Sequence, residues 1–193
     1  MKTFDKIKKP LIFIVLACLV VGYYIYLTHR NVDNNESIAD NSSRYSVLDR
    51  DLERNYPGTP RSVVTYYSDI LKVIYKEELT DDEFESTVEH LRGLFDNELL
   101  AYNDYETYYL SLKSEIESYQ DSGMYVADYS VEDGYDIEYK TLEDGENYAY
   151  VDVSYYVRSG KTVTTIYELF TLRKDDDGNW RMLTWASVEN PSN

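Results

Sequence analysis

The chain has 193 residues, a formal net charge of −17 and a single cysteine. Five of the 19 basic residues and one of the 36 acidic ones lie at or before Arg30, so the remainder sets 14 bases against 35 acids. That sign of charge argues against a nucleic-acid or phosphate reader, and one cysteine leaves no thiol for a disulfide or a thiolate metal site in the acidic part.

Residues 1–9 carry Lys2, Lys6, Lys8 and Lys9 against Asp5 alone and read as a cytoplasmic tail. Residues 11–27, LIFIVLACLVVGYYIYL, are an unbroken apolar run. With Pro10 and Thr28 they make about 19 helical residues, which at a rise of 1.5 Å span roughly 28 Å, close to the hydrocarbon thickness of a bilayer. Residues 10–28 are therefore expected to be a transmembrane helix. The cationic flank lies before it and acids follow it, so the N-terminus is expected in the cytoplasm and the rest outside the cell membrane. Tyr23, Tyr24 and Tyr26 suit headgroup depth at the outer end. A cleaved signal peptide and a lipoprotein signal at Cys18 are the competing readings. Both are disfavoured because apolar residues continue past every small-residue position, and Leu16 is bulky for a lipid-attachment motif.

Residues 29–48 are polar and poor in large apolar side chains, and read as a flexible stalk that cannot offset its ordering entropy. Asn41-Ser42-Ser43 matches a glycosylation sequon, relevant only to a eukaryotic secretory route.

Residues 49–190 read as an extracytoplasmic α+β domain. Thr59-Pro60 offers an N-cap and a proline at the first helical position, and Val63, Tyr67, Ile70 or Leu71, and Ile74 form one stripe. Thr80 to Glu83 is a capping box opening a second helix with Phe84, Val88, Leu91 and Phe95 on one face. Asn103 with Glu106 repeats that pattern before a third stripe of Tyr105, Tyr109, Leu112, Ile116 and Tyr119, ended by Gly123. The period then becomes two. Tyr135, Ile137 and Tyr139 alternate with charges, and Ala149, Val151, Val153, Tyr155 and Val157 form one side of a longer strand. Residues 162–173 and 180–188 are apolar on both faces, which predicts central strands covered on both sides. Glu132-Asp133-Gly134, Asp144-Gly145, Ser159-Gly160 and Asp177-Gly178-Asn179 are hairpin signals. The expectation is three helices packed on a five-stranded antiparallel meander. The tyrosines that fill the acidic part suit half-buried sheet faces and helix seams.

Chemistry-bearing patterns are scarce. His29 sits at the membrane boundary, and His90 lies beside the apolar face of the second helix. There is no nucleophile elbow, zinc-protease motif, phosphate loop or dinucleotide fingerprint. The run from Lys174 to Asn179 invites a calcium reading. Counted from Asp175, however, glycine falls at position four and Ala186 at position twelve, so a charged hairpin tip is expected. No residue stands out as catalytic, cofactor-binding or metal-ligating, and no cofactor is implied.

The helices leading into a curved antiparallel sheet, with the closing segment Leu172 to Trp185, resemble the nuclear-transport-factor-two-like architecture. Together with Asn55-Tyr56-Pro57-Gly58-Thr59-Pro60-Arg61, the chain resembles uncharacterised single-pass membrane proteins of Gram-positive bacteria. The outer domain of the bitopic scaffold subunit of type IV secretion machines is similar in plan. The missing catalytic signatures stand beside a membrane tether, a stalk and a compact fold of a kind that commonly hosts ligands or subunits. Together they lead to the expectation of a membrane-anchored binding or scaffold domain, not an enzyme, with a protein, peptide or small-molecule partner. The acidic charge argues against nucleic acid. The alternative is a small isomerase- or dehydratase-like enzyme using a tyrosine and a carboxylate in the sheet pocket.

Overall fold

The computed structural model describes residue 47, residues 49–143 and residues 145–190. The basic tail, the apolar run, His29 and the sequon lie outside them. No helix among the described residues is long and apolar enough to cross a membrane.

Among the described residues, four helices precede five strands: α1 (Pro60–Ile74), α2 (Asp81–Gly93), α3 (Asn97–Tyr102), α4 (Tyr105–Asp121), then β1 (Met124–Val131), β2 (Glu138–Thr141), β3 (Asn147–Ser159), β4 (Thr162–Lys174) and β5 (Trp180–Val188). Thr59 caps α1 by accepting from the Ser62 N–H, with Pro60 at the first helical position. Thr80 and Glu83 form the reciprocal box that opens α2. Helix α1 buries Val63, Val64, Tyr67, Ile70, Val73 and Ile74, so its inner face is wider than a single stripe and it lies at the centre of the fold.

The helix count differs from the expected three. Asp96 caps the short α3, and Asp104, rather than Asn103, caps α4 by accepting from the Thr107 N–H at 3.0 Å. Asn103 terminates α3 instead, its side-chain amide donating to the Leu99 carbonyl at 2.9 Å. Two acids eight residues apart thus start two helices where one stripe was read.

The sheet is antiparallel in the order β1-β3-β4-β5, with β2 also paired to β3. It is not a simple meander. Strands β1 and β2 lie end to end along one edge of β3, with Val131 opposite Val153 and Glu138 opposite Tyr150. Glu132 explains why its Asp-Gly sequel does not turn a hairpin. Its backbone N–H donates to the Asp152 carbonyl at 3.0 Å and its carboxylate accepts from the Asp152 N–H at 2.8 Å, so the chain keeps following β3. The other turn signals do form hairpins, with Gly160 and Gly178 at φ of 57° and 85°. Register shifts leave an extra residue in each outer strand, Ala127 in β1 and Leu183 in β5, the latter opposite Thr171 and Leu172 of β4, and these bulges bend the sheet.

One sheet face is buried. Ala149, Val151, Val153, Tyr155 and Val157 of β3 face the helices, in register with Leu172, Phe170, Glu168, Ile166 and Thr164 of β4. β4 is a central strand as expected, but the reading of β4 and β5 as central strands covered on both sides is otherwise corrected: β5 is an edge, and the outward row of β4 is open, with Val163 47% exposed. Residues 94–96 run beside the start of that edge. The Met182 N–H donates to the Leu94 carbonyl and the Asp96 N–H to the Met182 carbonyl, both at 2.8 Å. The core also takes in Val47, whose carbonyl accepts from the Tyr66 hydroxyl at 3.0 Å.

Candidate functional site

Along the inner row of β4, Leu172 and Phe170 are fully buried, and the next inward position is Glu168. This carboxylate stands opposite Val153 on one side and Ser187 on the other, half-buried against the helix layer. Among the described residues it has no hydrogen-bond or ion-pair partner. Burial, and then the negative charge of Glu115, push its pKa above the usual carboxylate value. No cation is among the groups that act on it.

Tyrosines surround this acid. The Tyr75 hydroxyl donates to Glu115 on α4 at 2.7 Å, and the Tyr75 ring packs edge-on against Tyr119 with centroids 4.9 Å apart. The Tyr155 hydroxyl and Ser68 Oγ share a hydrogen bond of 2.8 Å within the core. Tyr67 is wholly enclosed, and desolvation holds its phenol neutral, far above its ordinary range. Glu168 also acts on Tyr67, Tyr119 and Tyr155, so acid and rings form one electrostatic neighbourhood. A trough of about 590 Å³ lined by Leu110, Ser111, Ser114, Glu115, Ser118 and Tyr119 runs along α4 beside it.

Deeper in, the space is filled. Phe170 meets Tyr67 at 5.5 Å and stacks on Trp185 at 6.1 Å, Trp185 meets Phe95 at 5.7 Å, and Phe95 meets Tyr108 at 5.5 Å. Such contacts prefer offset or edge-on geometry, and together they occupy the region between helices and sheet. A tyrosine–carboxylate pair in an enclosed pocket would be the mark of an acid–base enzyme. Among the described residues two hydrogen-bonded tyrosine–carboxylate pairs lie near the helix layer, Tyr75 with Glu115 and Tyr129 with Asp69 at 2.5 Å. Burial raises the Asp69 pKa despite the donated hydrogen bond. Both, however, border open grooves, the second one of about 230 Å³ with Arg50, Arg61 and Tyr66.

The polar groove at the β4–β5 hairpin, about 560 Å³, is internally committed. Arg173 binds Asp96 through two hydrogen bonds, and Arg181 donates to Asp175 at 2.8 Å and lies 4.3 Å over the Tyr56 ring. Asp175 to Asn179 is the hairpin tip. Asp175 Oδ1 accepts from the Asn179 N–H at 2.7 Å, and among the described residues no cluster of three metal-ligating side chains could hold an ion. His90 is held structurally: its Nε2 bonds the Arg50 carbonyl at 2.8 Å, its ring meets Tyr66 edge-on, and its Nδ1 is buried without a partner among the described residues.

Sequence reading passed over Glu168. The signal was there: in Ile166-x-Glu168-x-Phe170-x-Leu172 an acid falls in phase with the buried row.

No curated protein matches the chain. A family model does match, over residues 1–185, and so takes in the apolar run as well as the α+β domain: the chain belongs to the family described as Domain of unknown function (DUF6715).

Proposed function

We propose that the chain is a single-pass membrane protein whose α+β domain, held outside the cell membrane by residues 10–28, is a non-enzymatic binding or scaffold module. The basic tail before the apolar run and the acids after it support the orientation. The helix layer on a bulged antiparallel sheet supports a nuclear-transport-factor-two-like plan. The observation that carries the binding reading is the aromatic plug. Phe170, Tyr67, Trp185, Phe95 and Tyr108 interlock in the space where an enzyme of that plan would enclose its substrate. What is left for a partner is the open trough along α4 with Glu115 and Tyr119, Glu115 being the acid whose charge Glu168 feels. An open, tyrosine-lined acidic trough suits a partner held by contact rather than one sequestered from water.

Photo-crosslinking tests this. A crosslinking residue placed at Ser111 or Ser118 of the full-length chain in cells is expected to give a discrete adduct, whereas one at the fully exposed Tyr135 is not. Turnover of a small molecule by the purified chain, abolished by Glu115→Gln or Glu168→Gln, would establish the isomerase- or dehydratase-like alternative instead.

A further inference from the structure

Two unrelated features meet at the far end of β5. The first is a free strand edge. At the start of β5 the edge is sealed: the Tyr56 hydroxyl donates to the Trp180 carbonyl at 2.8 Å, and Met182 is bonded on both backbone groups by Leu94 and Asp96. Beyond it, among the described residues, no hydrogen bond reaches the outer side of residues 184–188. This stretch, Thr184-Trp185-Ala186-Ser187-Val188, has no proline, no glycine and no charge. Within these five residues there is thus no proline, charge or bulge of the kind that protects an edge from pairing with another chain, the bulge of β5 lying just before them at Leu183. Both outer strands carry a bulge, Ala127 in β1 and Leu183 in β5, but the β1 edge also bears the Lys72–Asp128 ion pair, whereas the bulge of β5 lies before residues 184–188.

The second feature is Glu168, one strand in from that edge and in direct register with Ser187. Both belong to the inner row, as do Phe170 and Trp185 one step along. A strand added to β5 would lie about 5 Å beyond it and about 10 Å from β4. A residue opposite Ser187 on such a strand projects into the same row. The small Ser187 side chain leaves the way clear, and a lysine or arginine is long enough to cross it and meet Glu168. Glu115 of the same neighbourhood and Glu189, which follows β5, add to the negative field.

We propose that the free edge of residues 184–188 is a strand-addition site for an extended segment of another protein, with a lysine or arginine opposite Ser187 whose charge is received by Glu168. The inference rests on the binding-module reading above and names the chemistry of its partner. Backbone pairing supplies affinity and the inward cation supplies selection, the division of labour seen when peptides extend a sheet. A second copy of this chain fits less well. Its corresponding stretch carries no cation, and the two domains are both strongly acidic.

The test uses the full-length chain in detergent micelles and a fluorescent nonapeptide of alternating threonine and valine with lysine at its centre. Binding read by anisotropy is expected for the lysine peptide. A glutamate-centred peptide is expected to bind at least tenfold more weakly. A fully N-methylated lysine peptide, which keeps the side chains and loses every backbone donor, is expected to bind no better. Glu168→Gln, an isosteric change, and Ser187→Arg, which places the chain's own cation beside Glu168 at an exposed position, should each weaken the lysine peptide at least tenfold. Binding that survives N-methylation, or ignores both substitutions, overturns the proposal, as does absence of binding or self-association of the chain through this edge. If the peptide fails while the Ser111 and Ser118 crosslinks still capture a partner, the edge is wrong and the binding reading stands; if both fail, so does that reading.

Discussion

Glu168 and Ser187 are register partners across β4 and β5, and the row they share places a carboxylate between the uncharged inward residues Ile166 and Phe170 of β4 and opposite the uncharged inward row of β3. The fold tolerates this acid rather than relying on it. Desolvation and Glu115 raise its pKa, so the native state holds a proton at pH values where the unfolded chain has released it. The ionised form therefore destabilises the fold at neutral pH. That penalty is relieved as pH falls through the raised native value towards the ordinary value of 4.5. Glu168→Gln is expected to raise the thermal midpoint at pH 7 and to lose that advantage near pH 4.5, read by circular dichroism at both. A gain of equal size at both values would mean that charge is not its source.

Asp96 should be the most sensitive polar position. Its side chain is 6% exposed, caps α3, and grips Arg173, itself 24% exposed, through both carboxylate oxygens. Removing it strands a guanidinium and a helix end together. Asp96→Ala is expected to cost about 2–4 kcal/mol in a urea titration, discounted from a fully buried pair because Arg173 partly reaches water. Asp96→Asn keeps the cap and should cost clearly less. Equal losses would show that the charge, not the cap, accounts for the whole effect.

Phe170 is fully buried between Tyr67 and Trp185. Phe170→Ala should cost about 3–5 kcal/mol, the range for emptying a large aromatic site, and loosen Trp185, visible as a red-shifted tryptophan emission. A loss below about 1 kcal/mol would mean that the rings are not packed as described.

Local chemistry was legible in the sequence, and competition between local signals was not. Thr59 and Thr80 announce their helices because a hydroxyl, a proline or an acid at fixed offsets satisfies the first free N–H groups. Gly160 and Gly178 announce hairpins because positive φ favours glycine. Glu132-Asp133-Gly134 carries the same turn chemistry, yet the ladder with Asp152 outweighs it, and that pairing joins residues twenty apart. Asn103 and Asp104 both look like caps, and spacing alone does not say which N–H groups each will meet. The edge position of β5 was hidden because Trp185 and Val188 read as core. The family match identifies the chain's relatives and leaves its chemistry to be read from Glu168 and its neighbours.

The display of the domain outside the membrane is tested most directly by cysteine labelling in intact cells. Cys18, the chain's own cysteine, is replaced by serine, and a cysteine is introduced at Tyr135, which is fully exposed at the surface of the described domain. A membrane-impermeant maleimide is then added before or after lysis. Labelling at full extent before lysis is expected from an external domain tethered by residues 10–28. Labelling that appears only after lysis would place the domain inside the cell and contradict the proposed function at its root.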